Sequence, residues 1–301
     1  MRTQSTLICM VMLAVILSLV GCSKDNPVTA PDTPEQLTLP SLSTMKIDVD
    51  FFQSAQVDPQ SVRLGKLVKS PIATSPAASK LNYLNAAVRV FFLNVVAYSA
   101  LAEPVAAFAT AIHSVPQYQP DGSWLWTYVF VDKNGSEYSI FLRGKRMDTY
   151  VAWSLEVSSN DPALILDHFL WFEGEVQIDE RSGYWQFYEP DSSATAAVTS
   201  FAASELATSG VQTVRIDWQT SSAVDRRLAL LINKPDDPSE GSKLVFDETL
   251  EMATIEFYDA STDNSGEIIW YREGSGSIEW PDYKDGVKSC WDVWQNDIDC
   301  E

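Results

Sequence analysis

Residues 124–157, WLWTYVFVDKNGSEYSIFLRGKRMDTYVAWSLEV, decide the fold class. Trp124, Trp126, Tyr128 and Phe130 share one face of an extended chain, and Leu125, Val129 and Val131 share the other. Side chains alternate across a strand, so this run is a two-faced strand carrying surplus aromatic surface. Asp132-Lys133-Asn134-Gly135 supplies residues that accept tight backbone geometry, and the chain reverses there. The runs 137–143 and 149–157 repeat the pattern, which makes the segment an antiparallel meander.

The same signature continues through 167–178, 183–188, 211–219, 227–232, 251–258 and 267–272. Turns are marked by Arg181-Ser182-Gly183, Pro235-Asp236-Asp237-Pro238, Asp263-Asn264-Ser265-Gly266 and Gly274-Ser275-Gly276-Ser277. Residues 189–210 are rich in Ala, Ser and Thr and carry no period. Upstream, residues 45–52, MKIDVDFF, alternate Met45, Ile47, Val49 and Phe51 with polar residues, the period of one more strand.

Residues 80–113 change period. Leu81, Leu84, Val88, Phe92 and Val95 recur at three- and four-residue steps, with Asn82, Asn85 and Arg89 on a narrow polar stripe. Pro104 suits the first turn of a second short helix at 104–112. The uncharged stretch 90–102 falls short of the ~20 residues a membrane span needs, so the segment is expected to be buried against protein. The expected fold is α+β, mainly β: a meander of nine or ten strands, a curved sheet or half-barrel, packed on an apolar N-terminal helix. That architecture resembles the half-barrel of lipoprotein carriers and other lipocalin-like lipoproteins at the level of fold, with no shared motif that would carry a functional residue.

The N-terminus carries the most specific signal. Residues 1–22, MRTQSTLICMVMLAVILSLVGC, place one positive charge at Arg2, an apolar run over 7–20, and a small residue before a cysteine, the layout of an export signal. Leu19-Val20-Gly21-Cys22 resembles the lipobox of bacterial lipoproteins. The resemblance implies cleavage before Cys22, a diacylglyceryl group on its sulfur, and a mature protein anchored to a bilayer at about 0.8 kcal/mol per buried methylene. Ser23 after the cysteine implies passage to the outer membrane. The domain expectation is therefore a signal peptide at 1–21, a Pro-rich tether at 22–44 with Pro27, Pro31, Pro34 and Pro40, and one β-rich domain over 45–301. With Cys9 removed and Cys22 lipidated, Cys290 and Cys300 are left in an oxidising compartment, where two thiols form a disulfide.

Composition excludes several functions. The chain has 301 residues, of which 41 are acidic and 21 basic, for a formal charge of -20, and no Lys/Arg-rich run, so nucleic acid is not an expected partner. There is no Gly-x-Ser-x-Gly elbow, zinc-binding His-Glu-x-x-His, Walker loop or dinucleotide fingerprint. His168 beside Asp167 is expected to be a hydrogen-bonded core or edge residue without a nucleophile in register, and His113 to cap a helix end. No enzyme activity, cofactor or metal is expected: Asp259-x-Ser261-x-Asp263-Asn264 and Asp282 with Asp285 lack the oxygen set of a calcium loop.

The remaining candidates lie at the C-terminus, where residues 247–301 hold 15 acidic and three basic side chains. Trp291 and Trp294, inside the Cys290–Cys300 loop, are candidate contacts for an envelope protein or glycan, weighed against a pinned flap whose indoles cover the sheet. The aromatic face of residues 124–130 points instead to an apolar or amphipathic ligand held by burial.

Overall fold

The alternation seen in 124–157 produces the first hairpins of a fourteen-stranded antiparallel sheet in which spatial order follows chain order. The computed structural model describes residues 34–47, 79–99, 101–132, 135–161, 164–190, 210–222 and 225–300. Its strands are β1 (Gln117–Tyr118), β2 (Ser123–Val131), β3 (Glu137–Arg146), β4 (Tyr150–Asp161), β5 (Leu164–Gln177), β6 (Ser182–Pro190) and β7 (Gly210–Thr220). These are followed by β8 (Arg226–Ile232), β9 (Lys243–Glu248), β10 (Met252–Asp259), β11 (Asn264–Tyr271), β12 (Gly276–Glu279), β13 (Ser289–Trp291) and β14 (Asp297–Ile298). Residues 1–33, including Cys22, and the unassigned 191–209 lie outside the described residues.

Register explains why one face is so aromatic. Trp124 pairs with Gly144, Gly144 with Trp153, Trp153 with Gly174, and Gly174 with Trp185, a ladder of alternating Trp and Gly across β2–β6. An indole spreads over the space a neighbouring side chain would fill, and in this row a glycine leaves that space open. The device recurs where Gly183 faces Trp218 and where Gly276 separates Trp270 from Trp291. The next row on this face, Trp126, Leu142, Leu155, Phe172, Phe187 and Val214, is buried throughout.

Among the described residues, two α-helices, α1 (Leu81–Ser99) and α2 (Ala102–Thr110), precede the sheet, and Pro104 lies in the first turn of α2 as its fixed φ favours. No helix among the described residues is long and apolar enough to cross a membrane. The Tyr83 ring on α1 meets Trp270 at 5.1 Å, and Phe108 on α2 meets Phe172 at 5.9 Å. The Tyr128 hydroxyl donates to the Ala107 carbonyl at 2.7 Å, which satisfies a buried phenol whose ionisation burial suppresses.

Four expectations need correction. The strand count among the described residues is fourteen, because β9 buries consecutive residues Leu244, Val245 and Phe246 without alternation, and β1, β12, β13 and β14 are two to four residues long. Residues 45–47 leave a 3-10 turn (Leu42–Thr44) and are not in a strand, although Met45 and Ile47 are buried; 48–52 lie outside the described residues. The compact unit runs Gln36–Glu301, so the end of the expected tether belongs to the fold: Leu37 is buried beside Gly144, and Thr44 Oγ1 accepts from Trp185 Nε1 at 3.1 Å. Finally, α1 buries Asn82, Tyr83, Ala86, Val90 and Leu93, whereas Leu81 and Leu84 are exposed. A helix that is apolar nearly all round does not specify its inward face by hydrophobicity, and here polar bonds set it.

Candidate functional site

The C-terminal hairpin β13–β14 is built by its disulfide and by one aspartate. Cys290 and Cys300 form a disulfide with a Cα–Cα distance of 5.3 Å. Between the strands, Asp292 Oδ1 accepts from the backbone amides of Trp294 at 2.9 Å and Asn296 at 2.8 Å, while Asn296 Nδ2 donates to Oδ2 at 3.2 Å. An aspartate that gathers amides in this way closes a local turn without help from a sheet. Partial burial pulls the Asp292 pKa up, but the bonds from Asn296 and Trp294, with Lys80 nearby, outweigh it and hold the carboxyl below its ordinary value.

The start of α1 clamps this loop from the other side. Asp297 accepts from the Asn82 and Leu81 amides at 2.9 and 3.3 Å, serving as an N-cap supplied from the far end of the chain. Lys80 Nζ donates to the Trp294 carbonyl at 2.8 Å. Asn82 donates to the Cys290 carbonyl at 2.6 Å and accepts from the Tyr283 hydroxyl and Lys284 Nζ, each at 2.7 Å. Arg89, the next turn of the polar stripe but one, pairs with Asp282 at 2.5 Å and lies over the Trp280 ring. The polar stripe is thus a docking seam to the C-terminal segment, and no single-helix reading discloses its partner.

The two candidate tryptophans separate completely. Trp291 is 1% exposed, donates to the Gly274 carbonyl at 2.9 Å, and sits edge-on to Trp270 and Tyr83 at 5.3 and 6.1 Å. As a surface contact it is excluded; it is a core residue. Burial among these rings also pushes the Tyr83 pKa up to about 12. Trp294 is 74% exposed, flanked on the hairpin by exposed Val293 and Ile298.

The other candidates do not assemble chemistry. His168 Nδ1 is 2.9 Å from Glu156 Oε2, and its ring lies against Phe141, an exposed contact between β5 and β4 in the interior of the strand order. His113 ends a 3-10 turn after α2. Glu256, Glu267 and Glu279 stand opposite one another on β10–β12 beside a shallow depression, yet no group of three or more His, Cys, Asp or Glu able to hold a metal occurs among the described residues. No protein-family profile matches the chain, and comparison with curated proteins returns no relative.

Proposed function

We propose that the chain is a non-enzymatic lipoprotein of the bacterial cell envelope, anchored in the outer membrane through acylated Cys22, whose folded unit recognises an envelope protein or glycan through its C-terminal loop. The observation that carries this reading is the exposure of Trp294 on a loop fixed by a disulfide, by Asp292 and by Lys80. A large amphipathic ring held on rigid backbone contributes contact area with little ordering cost on binding, the pattern of an interface hot spot. Full-length protein and Trp294→Ala are immobilised and challenged with isolated peptidoglycan and with detergent-solubilised envelope proteins. A retained partner that falls at least tenfold in the variant, with unchanged thermal unfolding, is the expected result; equal retention removes the reading.

A second reading has the sheet curved about the helices so as to bury an apolar or amphipathic ligand. Helix α2 meets the aromatic face at β5 and β6, through Phe108 with Phe172 and Trp185, and α1 meets the same face at β11 and β13, through Tyr83 with Trp270 and Trp291; contact with helices at two separate places on one face is what supports this reading. Those rings are already covered by protein, so a ligand enters this face only as a helix leaves it. Native mass spectrometry of the full-length protein tests this. An adduct released on denaturation supports it, and a bare mass removes it.

A further inference from the structure

Where residues 41–46 pass the turns that end β5 and β7, they enclose a groove of about 560 Å³. In a chain of charge -20, four of the 21 basic residues, Lys46, Arg181, Arg226 and Arg227, line this one groove, with Glu180 and Glu248 the acidic residues beside them. Arg226 is fixed: its Nε donates to Glu248 at 2.6 Å and its guanidinium lies over the Phe246 ring at 5.3 Å. Arg227 pairs with Asp247 at 2.8 Å. Lys46 and Arg181, on opposite walls, make no ion pair among the described residues. Two cations with no ion pair among the described residues, in a groove lined by four basic and two acidic side chains, leave a local positive field there on a molecule of charge -20.

The rest of the lining is mainly hydroxyl, with Gln219, Leu228, Trp218 and Phe246. Ser43 on the N-terminal wall and Ser221 on the β7–β8 turn bring groups that both donate and accept, while Trp218 and Phe246 beneath them are buried, Phe246 under the Arg226 guanidinium. The volume lies in the range of small-molecule sites. Hydroxyls that donate and accept match those of a sugar, and Lys46 with Arg181 adds a place for an oxyanion.

We propose that this groove binds an acidic saccharide, with the carboxylate or phosphate oxygens held between Lys46 and Arg181. The site shares no residue with the C-terminal loop, so its failure and that of the Trp294 reading are separable. Calorimetry of full-length protein in detergent micelles, with trigalacturonate, glucose 6-phosphate, maltotriose and inorganic phosphate, tests it. The expected result is that one of the acidic sugars binds at least tenfold more tightly than maltotriose and inorganic phosphate, weakens with salt, and loses at least tenfold in Lys46→Gln/Arg181→Gln while binding in Trp294→Ala is unchanged. Which acidic sugar binds decides between a carboxylate and a phosphate source. Binding of maltotriose or inorganic phosphate as tight as that of the acidic sugars, an unaffected double variant, or no binding by either acidic sugar overturns the proposal.

Discussion

Trp185 lies so close over Gly174 that a Cβ on the glycine would stand 2.4 Å from the indole Cε3 and 2.3 Å from the Tyr184 carbonyl oxygen. Neither atom belongs to a flexible chain end, so Gly174→Ala forces backbone or ring to move. Overpacking of this kind costs about 1–3 kcal/mol. The expected outcome is a lower urea midpoint, partly restored when Trp185→Phe is added, because the smaller ring vacates the collision. Additive losses in the double-mutant cycle would show that ring and glycine do not compete for one space.

Asn82 is 1% exposed and joins α1 to the C-terminal segment through three side-chain bonds. Asn82→Ala leaves the Cys290 carbonyl and the Tyr283 hydroxyl without their partner, at a cost of about 1–3 kcal/mol for each group left buried. Amide exchange is the measurement: protection should fall first in β12–β14 and least in β2–β5. A uniform loss across the sheet would contradict the local role.

How much of this was legible beforehand depends on how local each cause is. The strands from β2 to β8 announce themselves by their aromatic and β-branched runs between turn signals, as in Trp124, Trp126, Ile140, Leu142, Trp153 and Leu155 at every second position of β2–β4. Strand β9 does not, since Val245 is buried on the face opposite Leu244 and Phe246. The prolines of the tether conceal that Leu37, on this same stretch, is core, because composition averages over a window and burial acts on single side chains. The inward face of α1 was set by Tyr283, Cys290 and Asp297, about two hundred residues away. The basic groove draws residues from four separated segments, so no spacing in the sequence marks it.

The Cys290–Cys300 bridge closes a loop with a sequence separation of 10. Loop-entropy arithmetic gives about 2.5–3 kcal/mol for that length. Cys290→Ala/Cys300→Ala should lower the unfolding free energy by this order while keeping the fold, because Trp291 stays pinned by Trp270, Tyr83 and the Gly274 carbonyl. Chemical denaturation of the double variant, with wild type under reducing conditions as a companion, checks it. A loss well above that range would mean that the bridge also holds native packing.

Asp292 predicts an acid limit for the loop. Its folded-state pKa is depressed, so its contribution is fully present above the unfolded value of about 3.9 and is lost as pH falls through the folded value. The Trp294 and Asn296 amide resonances should therefore titrate together with a midpoint below about 3.9. Asp292→Asn should abolish that titration and keep the turn, since the amide oxygen still accepts, whereas Asp292→Ala should broaden both signals. A midpoint at or above the unfolded value would refute the assignment of Asp292 as the loop's anchor.

Trp291 and Trp294 stand three residues apart in one closed loop, and composition treats them alike. Their environments predict opposite phenotypes. Removing the Trp291 indole empties the space among Trp270, Tyr83 and Gly276, and Trp→Ala in a core costs about 3–5 kcal/mol. Removing the Trp294 indole exposes nothing, and a surface change of that kind stays within about 0.5 kcal/mol. Denaturation midpoints of Trp291→Ala and Trp294→Ala should differ accordingly, and the fluorescence component lost in Trp294→Ala should be the one that aqueous iodide quenches. Equal destabilisation by the two substitutions would mean that Trp294 is packed in solution, and recognition through its indole would lose its basis.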